Sequence, residues 1–300
     1  SDSSSLEESS SSPLPSTSED AISSEEITTS IEEVTSEEPS TSHEDSAVTN
    51  YYRDVDLALS GTSLKNELYN KIKGHQAYSY SSLNGHMKTT DRDWELSPDP
   101  SDSNPYMVLI YGTYNFDPTS AKRHSTNNTI WDKEHIWAKS HGDFGTSTGV
   151  GSDLHNLRAS DKYNNNNRGS YDFGRVDSLV KYVRDNNNTG NNSGKIGKQN
   201  GFGESNVYEP LDMYKGDVAR ALFYMATRYS SGYPILNLSD SITGRTGSPG
   251  KHGILSVMLE WNKLDPVDEF EFNRNGLVQN LQNNRNPFID YPFLADAIWG

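Results

Sequence analysis

The first 50 residues hold 13 of the chain's 42 acidic residues and no Lys or Arg, so the chain divides into a part that cannot build a core and a part that must. Up to about residue 47 the sequence, which begins "SDSSSLEESSSSPLPSTSED", is mostly Ser, Thr, Glu and Pro. Such a mixture has too little apolar surface to offset the entropy of ordering it. We read residues 1–50 as a disordered acidic tail and residues 51–300 as the folded domain. The formal charge of −16 belongs mostly to that tail: without it, 29 acids face 26 bases, about −3. The body is therefore near neutral, and to meet a polyanion it needs either local basic groups such as Lys139, Arg158, Lys162 and Arg168 or a bound cation.

A domain near this size buries roughly 75% of its unfolded surface, and the 17 Tyr, 9 Phe and 5 Trp supply much of that core. With no cysteine, a disulfide scaffold and a Cys-ligated zinc site are both excluded. No apolar run approaches the roughly 20 residues of a membrane helix. The chain starts at Ser1 without a basic and apolar leader, which fits a signal peptide already removed or omitted.

Periodicity gives a coarse map. "SLKNELYNKIKG" spaces Leu64, Leu68 and Ile72 four apart, predicting a helix capped by Ser63 and stopped at Gly74. "YMVLIYG", 106–112, predicts a buried strand, and "TIWDKEHIW" another. Glycines make 142–152 a loop, "DLHNLRA" a second short strand, and "SDKYNNNNRG" a short helix capped by Ser160 or Asp161 and ended by Gly169. Residues 185–205 read as a Gly- and Asn-rich loop. "GDVARALFYMATRYS", 216–230, predicts an amphipathic helix behind Asp217 as cap; helices also fit 253–262 and 267–282, before Pro287 and Pro292 end the pattern. The body is thus mixed α and β, with helices dominating its C-terminal half.

Chemistry concentrates in one place. Glu134, His135, His141, Asp153 and His155 lie within 22 residues, three of the eight histidines among them. In an extended strand Glu134 and His135 point to opposite faces, unless the strand ends or bulges between them. One could then hold a metal while the other handles a proton. Phosphodiester hydrolysis asks for that division: a hard cation on oxygen ligands stabilises phosphoryl charge, and a neutral imidazole deprotonates the attacking water. Histidine suits the second task because its reference pKa lies near 6.5.

The stretch "WDKEHIWAKSHGDFG…GSDLHNLRASDKYNNNNRG", 131–169, resembles the endonuclease I family of ββα-metal (His-Me finger) nucleases, most closely its secreted Gram-positive members. "KGDVARALFYMATRY" at 215–229 and "DPVDEFEFNRN…NNRNPFIDYP" at 265–292 resemble the same family's C-terminal helices. The resemblance covers residues 51–300. It implies an α+β fold with a ββα-metal core and a helical C-terminal half. It implies that His135 is the general base, Glu134 a metal ligand, and an asparagine of the following helix the second ligand. Asn164, Asn165, Asn166 and Asn167 are all available; the resemblance implies a ligand Asn nine residues after the Asn of the "HNL" unit and three before an Arg, and from Asn156 and Arg168 both counts give Asn165. It further implies Mg2+, with Mn2+ or Ca2+ as alternatives, DNA and RNA as substrates, 5'-phosphate products, a monomer, and a secreted or surface-tethered location.

The sequence departs from the family in two ways. No Arg or Lys occurs from Gly142 to Leu157, where some members carry a phosphate-binding Arg, so Arg158, Lys162 or Arg168 would supply that charge. A proline that often follows the Glu-His unit is Ala138. We expect Arg168 to act in catalysis and Arg158, Lys162, His141 and His155 to contact substrate. Blander roles stand beside these: Asp153 and His155 as buttresses, His141 as buttress or contact, Trp131 and Trp137 as core, and Arg274 and Arg285 as locks on the C-terminal helices. Two other functions compete. One is a non-catalytic nucleic-acid-binding surface protein of the same fold; the other is a zinc hydrolase built on His135, His141, His155 and Asp153.

Overall fold

The computed structural model describes residues 46–112, 131–184, 192–243 and 250–300. The expected disordered tail lies outside the described residues up to position 45, and Ser46–Tyr51 form a short helix, α1, with Val48 buried. The body is α+β. Helix α2, Gly61–Ile72, buries Leu64, Leu68 and Ile72, the stripe legible in the sequence, although it begins after Ser60 and not at Ser63. Helix α3 spans Leu83–Thr90.

The apolar run 106–112 is buried but makes only isolated bridges, Met107 to Arg92 and Ile110 to Ser160. Hydrophobicity predicted burial there correctly; it could not say that the neighbours would be loop and strand edge.

Strand β1, Trp131–His135, pairs antiparallel with β2, Leu157–Asp161, placing Glu134 opposite Arg158 and His135 opposite Leu157. Asn156 extends the hairpin: its Oδ1 accepts from the Trp137 N–H at 2.7 Å and its Nδ2 donates to the Trp137 carbonyl. Helix α4, Lys162–Arg168, follows at once, with Asp161 accepting from the Asn164 N–H as its cap and Gly169 at its end. The second strand therefore starts four residues later than expected, and "DLHN" is the turn that enters it.

A four-stranded sheet was not legible in the sequence. It comprises β3, Asp172–Phe173, β4, Ser178–Arg184, β5, Asn192–Lys198, and β6, Asn206–Pro210, in the order β3-β6-β5-β4. Strand β5 overturns the expectation of a loop over 185–205, of which 185–191 are outside the described residues. Its glycines are there for space: a Cβ on Gly194 would lie 2.5 Å from the Tyr208 hydroxyl oxygen, and one on Gly197 2.2 Å from the Ser178 carbonyl oxygen.

Helix α5, Lys215–Arg228, is buried over nearly its whole length and runs through the main apolar core. Asp217 lies inside its first turn, not at the cap, and pairs instead with Arg158 at 3.0 Å. Two short parallel strands, β7 (Asn237–Leu238) and β8 (Lys251–His252), precede α6, Leu255–Leu264, and α7, Glu269–Gln282. Pro287 does not end the regular structure: it is the first residue of α8, Pro287–Asp290, where a missing N–H costs nothing, and α9, Leu294–Trp299, follows.

Buried charge ties these layers together. Arg220 of α5 pairs with Glu271 of α7 at 2.5 Å. Arg274 of α7 pairs with Asp91 and donates to the carbonyls of Leu154 and Leu157, pinning the turn before β2. Arg285 holds Asp290. The expected locking roles of Arg274 and Arg285 are thus what their contacts provide. Trp131 and Trp137 are core, as expected. Among the described residues no helix is long and apolar enough to cross a membrane.

Candidate active site

A polar cavity of about 420 Å3 opens at the C-terminal end of β1 and is lined by Glu134, His135, Asn165 and Arg168, with Tyr80 and Lys139 at its sides. Strand β1 ends at His135. That ending resolves the geometric difficulty posed by adjacent residues: the alternation of a strand no longer separates Glu134 from His135, and both reach one cavity.

The His135 ring is held on three sides. Nε2 lies 2.9 Å from the Gly151 carbonyl oxygen, Tyr80 stacks on it with centroids 5.6 Å apart, and Phe144 tilts against it. A carbonyl only accepts, so Nε2 carries the proton and Nδ1 is left with its lone pair. Burial holds the imidazole well below its usual range, at about 3, so it is neutral near pH 7. Gly151 reaches this position because it has no side chain: a Cβ there would meet the Gly145 and Thr146 backbone at 2.8 Å.

Glu134 is almost completely buried. Its Oε1 accepts from the Tyr111 hydroxyl at 3.1 Å and faces Arg168 Nη1 at 3.3 Å. Burial pushes its carboxyl up to about 7 against the opposing pull of Arg168 and Tyr111. A buried carboxyl raised this far is one that a cation would recharge.

Asn165 donates its Nδ2 to the Lys133 carbonyl at 3.3 Å. Only the amide nitrogen can face a carbonyl, so Oδ1 points the other way as an acceptor. Its neighbours are occupied elsewhere: Asn164 accepts from Ser193 Oγ on β5, and Asn167 accepts from Lys181 on β4. Of these asparagines, Asn165 and Asn166 line the cavity. A carboxylate and an amide carbonyl on a polar cavity form an oxygen donor set suited to a hard divalent cation, and these residues fit one.

Arg168 borders the cavity but is buried, with both Nη atoms of its guanidinium engaged by the protein. It donates to the carbonyls of His135 and Ile136 at 3.1 and 2.6 Å, meets His252 Nε2 at 2.9 Å, and lies over the Phe173 ring. It fixes the end of β1 and balances Glu134, and its Nε has no hydrogen-bond partner among the described residues.

The four expected substrate contacts are not brought to this cavity. Arg158 is buried between Asp91 and Asp217 and borders a separate cleft of about 350 Å3 with Trp94 and Phe270. His141 is buried, its ring nitrogens facing the carbonyls of Lys251 and Ser170. His155 Nε2 meets the Asn284 carbonyl, and burial lowers its pKa to about 4. Asp153 accepts from Tyr224, Tyr229 and Gln282, the buttress reading. Lys162 is exposed at the start of α4 and does not line the cavity. Polarity in the sequence suggested contact with substrate; for Arg158, His141 and His155 the interior supplied partners between 29 and 129 residues away.

The set proposed for zinc, His135, His141, His155 and Asp153, is not assembled. Among the described residues the group of three with ligating geometry is His141, Asp172 and His252. Its donors are engaged, since His252 bonds Asp172 at 2.9 Å through Nδ1 and meets Arg168 through Nε2. Sequence reasoning missed Tyr80, Tyr111 and the Gly151 carbonyl as site components. No local pattern marks them, because each arrives from a different segment.

The Endonuclease I family model matches residues 60–293. The chain is 43% identical over 257 residues, 84% of its length and 80% of the relative's, to a protein of Bacillus subtilis (strain 168) named extracellular ribonuclease. It is 41% identical over 252 residues to an extracellular ribonuclease of Bacillus amyloliquefaciens, covering 83% of this chain and 78% of that one. A shorter match, 30% identical over 90 residues, joins it to an extracellular deoxyribonuclease of Aeromonas hydrophila, covering 30% of this chain and 32% of that one.

Proposed function

The chain belongs to the endonuclease I family, and on that premise we propose that it is a divalent-metal-dependent, largely sequence-nonspecific endonuclease that hydrolyses DNA and RNA with a ββα-metal core formed by β1, β2 and α4. The observation that carries this reading is that His135, Glu134 and Asn165 line one polar cavity, with His135 Nε2 held by the Gly151 carbonyl and Asn165 Nδ2 by the Lys133 carbonyl.

Glu134 and Asn165 would hold the cation, Mg2+ or a similar ion, whose chemistry is to stabilise charge on the phosphoryl oxygens. The chain's own residues do the rest. His135 Nδ1 takes a proton from the attacking water; the Gly151 carbonyl, hydrogen-bonded to Nε2–H, keeps the ring in the reactive tautomer and stabilises the imidazolium that forms. Tyr80 holds the ring plane, and Arg168 holds the β1 end. Lys139, beside the cavity, offers positive charge to substrate phosphates.

Water is the attacking group, so no 2'-hydroxyl is needed and DNA and RNA are both substrates; as the new P–O bond forms the P–O3' bond breaks, the 3'-oxygen leaves as a hydroxyl after taking a proton from solvent, and the product ends are 5'-phosphates. Relatives named for ribonuclease and for deoxyribonuclease activity support this breadth, and the word extracellular in their names supports secretion. We assign the protein to the cell exterior, free or tethered, and to a monomeric state.

The deciding experiment incubates the protein with plasmid DNA and with a long RNA, with Mg2+ and with a chelator. Cleavage of both polymers that stops on chelation and returns with Mg2+ is expected; DNA binding without cleavage would establish the non-catalytic alternative. His135→Ala should lower turnover by about 10²–10⁴-fold.

A further inference from the structure

Strand β4, "SLVKYVR", is the exposed edge of the four-stranded sheet. It carries Leu179 at 47%, Val180 at 59% and Tyr182 at 48% exposure, an apolar concentration unusual for a free edge. It contains two cations and no acid. Lys181 Nζ donates to Asn167 Oδ1 at 2.7 Å and Arg184 Nε to Asn192 Oδ1 at 3.1 Å, so each contacts a neutral amide. On neighbouring β5, Lys195 and Lys198 already face Glu209 and Glu204.

Resting on the nuclease reading, we propose that the β4 edge is a docking track for single-stranded nucleic acid outside the cleavage cavity, the strand running along the edge so that Lys181 on the α4 face and Arg184 on the opposite face meet phosphates and Tyr182, on the Arg184 face, stacks on a base. Continuity with the site supports this. Lys181 bonds α4 at Asn167, two residues from Asn165 and one from Asn166, both of which line the cavity. A polyanion leaving that cavity past α4 reaches cations whose side-chain partners among the described residues are neutral amides. Interleaved basic and aromatic residues are the combination that binds single strands without sequence preference.

A second copy is a poorer occupant. Antiparallel pairing of β4 with itself centred on Lys181 would set Lys181 against Lys181, with no carboxylate on the strand to compensate.

The test uses the full chain carrying His135→Ala, with Mg2+, and fluorescence anisotropy of oligothymidylates of about 4 and about 20 nucleotides. Adding Tyr182→Ala should weaken the longer oligomer about tenfold and shrink its advantage over the shorter one. Adding Arg184→Ala should lower the slope of log K against log salt by about 0.7, and Arg184→Lys should retain it. If the parent binds but both alanine variants match it in affinity and slope, the track is wrong and the nuclease reading stands. Failure of the parent to bind either oligomer overturns both readings. Sedimentation of the parent as a dimer that Tyr182→Ala dissociates would assign the edge to a second copy and also overturn the track.

Discussion

Nε2 of His135 lies 2.9 Å from the carbonyl oxygen of Gly151, across 16 residues of chain, and this contact decides which ring nitrogen can act as a base. Gly151 lies in a tight loop where an added Cβ would strike the Gly145 and Thr146 backbone at 2.8 Å. Gly151→Ala should therefore move the carbonyl and lower kcat about tenfold or more, with KM little changed, because orientation and not affinity is lost. Steady-state kinetics checks it. An unaltered kcat in a folded Gly151→Ala protein would remove this carbonyl from the mechanism.

In the proposed mechanism Glu134 links pH to metal affinity. Burial raises its carboxyl to about 7, and the cation needs the ionised form. Below that value a proton competes with the metal, so affinity falls as pH falls and levels off above it. Calorimetric Mg2+ binding to the DNA-free protein should weaken about tenfold per pH unit below 7. His135, held at about 3 by burial, does not titrate in this range. Excess Mg2+ should accordingly shift the acid limb of activity to lower pH, and a limb insensitive to Mg2+ would contradict the assignment.

The asparagines of α4 should separate by phenotype. Asn165→Ala should raise the Mg2+ concentration needed for half-maximal activity while leaving thermal stability nearly unchanged. Asn164→Ala removes the buried acceptor of Ser193 Oγ and should cost about 1–2 kcal/mol of stability. Asn167→Ala should leave the metal requirement near wild type, since its amide oxygen is bonded to Lys181. Metal titration and thermal melts of the three variants decide it; equal effects would mean that Asn165 is not the ligand.

Arg168 should behave as a structural residue first. Arg168→Ala strands the buried Glu134 carboxylate and the carbonyls of His135 and Ile136, for a loss of about 3–5 kcal/mol. Urea denaturation measures it. A fully stable variant with abolished turnover would restore the direct catalytic role.

The sequence alone was enough for the pieces with local logic. The stripe Leu64, Leu68, Ile72 made a helix, and Asp161 and Gly169 bounded α4. Such features depend on neighbours within a turn or a hairpin. It could not reveal β4 to β6, because Gly194 and Gly197 read as loop residues until Tyr208 and Ser178 are seen to fill the space beside them. Nor could it sort the polar residues near the site. His141 and His155 differ from His135 only in what the fold places against them, the Lys251 and Ser170 carbonyls and the Asn284 carbonyl, and Arg158 is taken up by Asp91 and Asp217. The linear order of residues determined which side chains were capable of the chemistry. Tertiary packing decided which were left free to perform it, because a buried donor or acceptor satisfied by a distant carbonyl or carboxylate has nothing left to offer a substrate.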